Sequence, residues 1–256
     1  MEGVKVRNLI IGKGRPKICV PIVGVTQEDI MRDAEQVCRL PADLVEWRAD
    51  WYEDVSDLTK VLETSGKLKE SLGELPLLFT FRTAKEGGEK SLEEGDYIRL
   101  NQTVIESGCV DLLDIELFTG DQAVAALIES AHKHQVKVIV SSHDFRKTPS
   151  RDTILGRLKK MQELGADIPK IAVMPQTRDD VLALLAATLE MSERYAKGPI
   201  ITMSMSGAGV VSRLAGETFG SAVTYGSAGQ QSAPGQIPVE ELANILNMIH
   251  KSQGDQ

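Results

Sequence analysis

The chain has 256 residues, of which 42% are hydrophobic, so it can bury a sizeable core and matches the size of roughly 250 residues usual for one (β/α)8 barrel. Its 29 Lys and Arg residues against 37 Asp and Glu residues give a formal net charge of −8, which favours neither nucleic acid nor an acidic membrane surface as a partner. Any binding of an anionic small molecule must therefore depend on locally placed arginines.

The first half of the chain predicts a short strand and turn over residues 4–14, followed by four strand-then-helix units. Apolar runs predict strands at residues 17–23, 44–48, 77–82 and 110–116. Thr26 with Asp29 predicts a capping pair on the first helix, and Ser56 is the predicted cap of the second. The box Ser91-x-x-Glu94 predicts the start of a third helix, which runs through residue 105, and a fourth is predicted over residues 122–134.

The second half of the chain repeats the same alternation. Strands are predicted at residues 136–140, 171–173, 200–203 and 222–225. Helices are predicted over residues 152–164, 180–195, 210–219 and 238–249. Lys170 stands at the front of the predicted sixth strand, and His143 follows the end of the fifth.

About eight strand-then-helix units, with no Pro/Ser-rich linker between them, predict a single α/β domain over residues 1–256, a (β/α)8 TIM barrel with a short N-terminal strand-turn extension. An open doubly wound sheet is the alternative. No G-x-G-x-x-G follows the first strand, so the usual dinucleotide signature is absent. In a barrel, the active site lies at the carboxyl ends of the strands.

The cysteines and the N-terminal sequence predict the compartment. Cys19, Cys38 and Cys109 form neither a metal-ligand spacing nor an even disulfide set, which favours a reducing environment. Residues 1–7 have no apolar signal core, and no apolar run approaches the ~18 residues of a membrane span. We therefore expect a soluble, unexported protein of the cytoplasm.

Polar residues at the predicted strand ends are the candidate site, and each has a structural alternative. Glu46 and Arg48 point the same way on a strand, either as an internal salt bridge or as a pair that holds hydroxyl groups. Arg82 alone suits a solvated strand end, and Glu116 is interpreted as a structural carboxylate. His132 and His134, near a helix C-terminus, favour a surface role.

His143 and Lys170 give the sharpest chemical hypothesis. His143 follows an apolar strand and two serines, although a hydrogen-bonded core histidine is an alternative. Lys170 lies between Pro169 and Ile171, where an ammonium is costly to bury unless it is paired or neutral; the alternative is an edge lysine that reaches solvent. A titratable base beside an amine is the equipment for imine chemistry on a carbonyl substrate.

The segment at residues 206–209 and the nearby Arg213 suggest where an anion binds. Free amides before a helix attract phosphate, which makes this segment a weak candidate cradle. Arg213 suits a planar carboxylate equally well through a bidentate pair.

Six short motifs occur in order along nearly the whole chain, and together they are highly specific. They are Glu46-Trp47-Arg48, Phe79-Thr80-Phe81-Arg82-x-x-x-Glu86-Gly87-Gly88, Ser142-His143-Asp144-Phe145, Pro169-Lys170-Ile171-Ala172, Met203-x-Met205-x-x-x-Gly209-x-x-Ser212-Arg213 and Ser232-Ala233-Pro234-Gly235-Gln236. With this order and spacing the chain resembles the type I 3-dehydroquinate dehydratases. The resemblance implies a (β/α)8 barrel, usually a homodimer, that converts 3-dehydroquinate to 3-dehydroshikimate in the shikimate pathway, without metal or cofactor.

The resemblance also implies roles for nine residues. Lys170 is the imine-forming amine, His143 the general acid and base, and Glu86 the carboxylate that orients His143. Substrate hydroxyls are held by Glu46, Arg48 and Arg82, and the substrate carboxylate side is bound by Arg213, Ser232 and Gln236. Some members have a serine where this chain has Pro21, so one hydroxyl contact is expected to be absent here.

Two other functions are alternatives to the one that the resemblance implies. A class I aldolase barrel would share Lys170 but would cleave a carbon–carbon bond, often in a phosphorylated substrate. A non-enzymatic barrel that serves as a binding module would leave Lys170 without a reducible adduct. The full set of motifs favours the dehydratase.

Overall fold

The computed structural model describes residues 2–254 and begins with a β-hairpin. Strand β1 (Val4–Val6) pairs antiparallel with β2 (Leu9–Ile11), which makes the predicted strand-turn extension a two-stranded hairpin. Val6 and Ile11 are buried and pack with apolar residues inside the barrel that follows, among them Leu44 and Leu112. Since both leucines begin their strands, the hairpin covers the amino-terminal floor of the barrel.

Eight parallel strands form the barrel, which confirms the predicted fold. They are β3 (Lys17–Ile22), β4 (Leu44–Arg48), β5 (Leu77–Thr80), β6 (Leu112–Glu116), β7 (Lys137–Asp144), β8 (Ile168–Val173), β9 (Ile201–Ser204) and β10 (Val223–Ser227). Each pairs in parallel with its neighbour in chain order, and β10 pairs with β3. The sheet closes between β9 and β10 through a parallel bridge of Ile200 with Ser221, so the open-sheet alternative is wrong.

Nine α-helices surround the strands within residues 2–254. They are α1 (Gln27–Val37), α2 (Leu58–Leu72), α3 (Glu94–Glu106), α4 (Asp121–Lys133), α5 (Arg151–Glu163), α6 (Arg178–Glu190), α7 (Val210–Leu214), α8 (Gly216–Phe219) and α9 (Val239–Gln253). The helix predicted over residues 210–219 is thus two short helices that meet at Ala215. A two-residue strand, β11 (Ile237–Pro238), pairs with the far end of β10 just before α9.

Of the three N-terminal caps predicted for helices, one is confirmed and two are wrong. Thr26 and Asp29 form the predicted capping box on α1. The cap of α2 is Asp57 rather than Ser56, because its carboxylate accepts two backbone N–H groups of the first turn. Ser91 caps nothing: a bridge between Thr83 and Lys90 holds this stretch as a loop, so α3 begins only at residue 94.

Strand alternation divides the apolar residues between two cores. One lies between the barrel and the helices and includes Trp47, Phe79 and Ile171. The other fills the barrel interior and includes Ile139, Ile168 and Met203. Every second residue of a strand therefore faces the barrel interior. Along a strand such as β4, the inward residue at the floor is apolar, and the inward residues nearer the carboxyl end are polar.

Lys170 lies in the middle of β8 rather than at its front, which corrects the predicted strand start. The parallel ladder with β7 already begins at the pair Ile139–Ile168 and places Ser141 opposite Lys170. The strand therefore starts three residues earlier than its apolar run suggests, and Lys170 points into the barrel between the inward Ile168 and Ala172. None of the helices within residues 2–254 is both long and apolar enough to span a bilayer.

Candidate active site

A pocket opens at the carboxyl ends of the barrel strands. Its lining includes eight of the nine predicted site residues, namely Glu46, Arg48, Arg82, His143, Lys170, Arg213, Ser232 and Gln236. The ninth, Glu86, lies behind His143 and lines a neighbouring pocket that His143 also borders.

Arg48 and Glu46 on β4 do not form the internal salt bridge that was the structural alternative. Arg48 instead makes a two-pronged ion pair with Asp50, with Nε–Oδ1 and Nη2–Oδ2 distances of 2.8 Å. Glu46 accepts a hydrogen bond of 2.9 Å from the Thr80 hydroxyl. Both β4 side chains are buried at the pocket wall. Each contacts its own partner rather than the other.

Arg82 is buried at the end of β5, so the solvated-strand-end alternative is wrong. Its guanidinium lies 2.7 Å from Asp114, 2.9 Å from Glu116 and 3.5 Å from Glu86. Glu116 also accepts from the backbone N–H and the hydroxyl of Thr83, which agrees with the structural role expected for it. Three carboxylates around one cation compensate the cost of burying it.

Lys170 is buried in the pocket lining, with only 3% of the residue exposed. Its Nζ donates to Asp114 Oδ2 at 3.0 Å and lies 3.6 Å from Glu46 Oε1. The face of the Tyr225 ring lies 4.7 Å away. The edge-lysine alternative is therefore wrong, and the amine is enclosed by two carboxylates and an aromatic ring.

His143, which is partly buried, and Glu86, which is buried, form a dyad. Glu86 Oε2 accepts the His143 backbone N–H at 2.9 Å and lies 3.0 Å from Nδ1 of the same residue. Because this oxygen acts as an acceptor toward the backbone, we assign the ring proton to Nδ1 and leave Nε2 free as a base. Burial, together with the charges of Arg82 and Lys170, lowers the pKa of His143 well below its ordinary value, so the imidazole is neutral.

The pKa of Glu86 moves in the opposite direction. Burial raises it to about 8, more than the charge of Arg82 lowers it. The second oxygen, Oε1, is buried without a hydrogen-bond partner among the described residues. The dyad is therefore held close to neutrality by its apolar surroundings.

Arg213, on the short helix α7, is a buried cation for which the described part of the chain supplies no carboxylate within salt-bridge distance. It donates to the Pro234 carbonyl at 3.1 Å, contacts the sulfur of Met203, and has an Nε without a partner. Burial lowers its pKa to about 10, so it keeps its charge at neutral pH. Since it is 1% exposed and lines the pocket, it is set up to meet an anionic ligand.

The loop after β10 carries Ser232 and Gln236 to the pocket. Gln236 accepts from the Ser232 backbone N–H at 2.9 Å and donates to its hydroxyl at 3.0 Å. The loop is attached to the barrel wall through its carbonyls, since Arg213 and the Ser206 backbone N–H both donate to Pro234. The two predicted residues thus support each other at the edge of the pocket.

Most amides of the candidate phosphate cradle at residues 206–209 and the next residue are already in use. The Ser206 and Gly209 amides donate to Pro234 and Ser206, and the amide of Val210 donates to Gly207. Three of the five amides over residues 206–210 are therefore used internally, which weakens the segment as an anion site. Within residues 2–254, no three His, Cys, Asp or Glu side chains come together in an arrangement that would hold a metal ion.

Two glycines let the loop after β5 pack closely over the site. A Cβ at Gly88 would lie 1.9 Å from the carbonyl oxygen of Arg82. A Cβ at Gly87 would lie 2.3 Å from the ring of Phe145, which lines the pocket beside His143. The Gly87-Gly88 pair is therefore required where the loop that carries Glu86 passes Arg82 and Phe145.

Sequence reasoning missed two buried carboxylates, Asp50 and Asp114. Asp50 follows Arg48 by two residues and pairs with it. Asp114 precedes Glu116 by two residues on β6, so strand alternation places both on the inner face. The two-residue spacing that placed Glu46 and Arg48 on one face of a strand was thus also the sequence signal that could have identified Asp114.

Comparison with known proteins identifies one family. The model of the family described as Type I 3-dehydroquinase matches residues 18–253. The 3-dehydroquinate dehydratase of Salmonella paratyphi B is 54% identical over 252 residues, which cover 98% of this chain and all of the relative.

Solved structures agree with that match. A crystal structure of the type I 3-dehydroquinate dehydratase of Clostridium difficile, with covalently modified comenic acid, superposes with a TM-score of 0.96 at 52% identity, and covers 98% of this chain and 100% of that one. The 3-dehydroquinate dehydratase of Enterococcus faecalis gives 0.91 at 48% identity, with 96% and 98% covered.

Proposed function

Because the chain belongs to the type I 3-dehydroquinase family, whose enzymes are lyases, we propose that it dehydrates 3-dehydroquinate to 3-dehydroshikimate through an imine on Lys170, as a step of the shikimate pathway. The observation that carries the proposal is the enclosed amine of Lys170 in one pocket with the neutral His143 and the unpaired Arg213. Amine, base and anion-binding group are the three parts that this reaction needs.

The first step uses Lys170. The amine, once it has given up a proton, attacks the ring ketone, and loss of water gives an iminium. The positive nitrogen withdraws electrons from the adjacent carbon and makes its hydrogen acidic. Burial favours this chemistry because it excludes bulk water from the imine, and the carboxylates of Asp114 and Glu46 fix the position of the nitrogen.

The second step uses His143. Its free Nε2 takes the acidic proton and then returns it to the departing hydroxyl, which leaves as water. General acid–base help of this kind is typically worth about 10²- to 10⁴-fold in rate. Glu86 acts through His143: its Oε2 keeps the ring proton on Nδ1 and holds the ring in place. Hydrolysis of the conjugated imine releases the product and restores the amine.

Substrate binding accounts for the remaining predicted residues. Arg213 supplies the charge for the substrate carboxylate, and Ser232 and Gln236 offer hydroxyl and amide groups at the same side of the pocket. Glu46, Arg48 and Arg82 also line the pocket and are proposed to hold ring hydroxyls. The family match decides against the class I aldolase alternative.

The proposal is tested by reductive trapping. The protein is incubated with 3-dehydroquinate and chelator, reduced with borohydride, and analysed by intact mass and peptide mapping. An adduct on Lys170 with the mass of the dehydrated product is expected. Lys170→Ala should give neither adduct nor turnover, whereas Lys133→Ala, on the exposed face of α4, should match wild type. No adduct from folded wild-type protein would contradict the proposal.

We also propose, from the resemblance, that the enzyme is a homodimer of the cytoplasm. Light scattering on the purified protein should give twice the chain mass of 27.9 kDa. A monomer mass across the micromolar range would contradict the homodimer.

A further inference from the structure

Asp114 is a buried carboxylate to which the mechanism above assigns only the positioning of the Lys170 nitrogen. It lies on β6, is fully buried, and is the meeting point of three donors. Its Oδ2 accepts from Lys170 Nζ at 3.0 Å, and its Oδ1 accepts from Arg82 at 2.7 Å and from the Ser141 hydroxyl at 2.6 Å. No other carboxylate within residues 2–254 contacts both the reactive amine and an arginine of the pocket.

The charge of Asp114 follows from these contacts. Burial alone would raise its pKa, but the charges of Arg82 and Lys170 outweigh burial and hold the pKa below its ordinary value. The side chain is therefore an anion throughout the pH range in which the enzyme works. An anion in a dry pocket acts strongly on any charge that changes 3 Å away.

We propose that Asp114 is the positioning counterion of Lys170, which fixes the nitrogen in the pocket and keeps its positive charge at the imine stage. The inference rests on the imine chemistry proposed above. When an ammonium and a ketone give an iminium and water, the nitrogen begins and ends with one positive charge. The same carboxylate therefore faces a cation before and after the imine forms, and no group has to move.

The other groups that face the Lys170 nitrogen do not replace Asp114. Cys19 from β3 and Tyr225 from β10 have a pKa raised by burial, and both are neutral. His143 from β7 is neutral as well. Glu46 from β4 lies farther away, at 3.6 Å, and the same oxygen accepts from Thr80.

Arg82 and Ser141 limit the strength of the counterion. Both donate to Oδ1, which leaves Oδ2 for Lys170. A carboxylate that accepts from two further donors attracts its cation less strongly than a bare one. These two donors therefore moderate the attraction that Oδ2 exerts on the Lys170 nitrogen.

The experiment is a pH profile of trapping with cyanoborohydride, which reduces the protonated iminium rather than the neutral imine. The full-length protein is treated with 3-dehydroquinate and cyanoborohydride at each pH of the range. The fraction of protein with an adduct on Lys170 is measured by intact mass. Asp114→Asn keeps the shape of the side chain and removes its charge, so the iminium loses its proton more readily. We expect the alkaline limb of the profile to move to lower pH by at least one unit.

Two controls separate the counterion role from a packing role. Asp179→Asn, on the exposed start of α6, should leave the profile unchanged. Ser141→Ala removes one donor from Asp114, so the carboxylate should attract the nitrogen more strongly, and the alkaline limb should move upward by about half a unit. If Asp114 serves only in packing, its substitution should cause loss of the adduct or of folded protein. The alkaline limb should then not move in opposite directions in Asp114→Asn and Ser141→Ala.

Each result has one meaning. An unchanged profile in folded Asp114→Asn overturns the counterion role. If circular dichroism shows that Asp114→Asn does not fold, Ser141→Ala decides: an upward shift supports the role, and an unchanged or lower limb overturns it. Absence of an adduct in wild type contradicts the imine mechanism itself, which is a separate failure.

Discussion

His143 and Glu86 are joined twice, since one oxygen of Glu86 accepts the His143 backbone N–H at 2.9 Å and lies 3.0 Å from its ring Nδ1. The double contact fixes both the position of the backbone and the orientation of the ring. A base that must take a proton and return it needs a fixed orientation in both steps. The role proposed for Glu86 is therefore one exerted through His143 rather than on the substrate.

Removal of the imidazole should separate the two chemical steps. In His143→Ala the amine of Lys170 and its carboxylate partners are untouched, so borohydride should still trap an adduct, while kcat falls by about 10²- to 10⁴-fold. His134→Ala, on an exposed helix end, is the control and should keep normal kcat. Near-normal turnover in His143→Ala would rule out the general-base role.

Arg213 should govern the affinity for substrate. A lysine in its place keeps the charge but loses the planar fork that fits a carboxylate, so Arg213→Lys should raise KM by roughly 10- to 100-fold, with a smaller change in kcat. Steady-state kinetics with 3-dehydroquinate measure the split. Arg178→Lys, at the exposed start of α6, should leave both constants unchanged. A fall confined to kcat would place Arg213 away from the carboxylate.

The raised pKa of Glu86 should appear in the pH dependence of stability. The carboxyl has an ordinary value of 4.5 and a value of about 8 in the folded protein, so the folded state holds this proton more tightly. Its contribution to stability is present below pH 4.5 and is lost as the pH rises through about 8. Glu86→Gln has no proton to lose, so its Tm relative to wild type should rise between pH 5 and pH 9.

Thermal unfolding in matched buffers measures this difference. Glu93→Gln, at the exposed cap of α3, should show no such trend. A Tm difference that is constant across the pH range would mean that burial does not hold the proton on Glu86.

Gly88 should be sensitive to a single added methyl group. A Cβ there meets the Arg82 carbonyl at 1.9 Å, so Gly88→Ala must displace the loop or the strand end, and we expect a loss of about 1 to 3 kcal/mol in the free energy of unfolding together with lower activity. Gly156→Ala, in the middle of α5 with open space around it, should instead gain about 1 kcal/mol. Urea unfolding of the two variants checks both signs, and a neutral Gly88→Ala would show that the loop yields freely.

The strand boundaries show how much of the fold the apolar pattern of the sequence can predict. Apolar runs located all eight barrel strands, and β4 has the predicted bounds, because a buried parallel strand is a short continuous apolar stretch. The start of β8 was missed because Ile168 and Pro169 belong to the strand only through their pairing with β7. The local sequence does not indicate this pairing. The cap at Asp57 was missed for a similar reason, since Ser56 is an equally good cap by composition.

The sequence by itself determined the barrel, the family and the list of polar residues at the strand ends, since period-two alternation, strand-helix repetition and six ordered motifs are all local properties of the chain. Only the tertiary structure decided the partners: Arg48 with Asp50, Arg82 with three carboxylates, and Lys170 with Asp114. The physical reason is that burial and charge pairing depend on which strands lie side by side. Asp114 lies 56 positions before Lys170 in the chain, and only the closed barrel brings them to 3.0 Å.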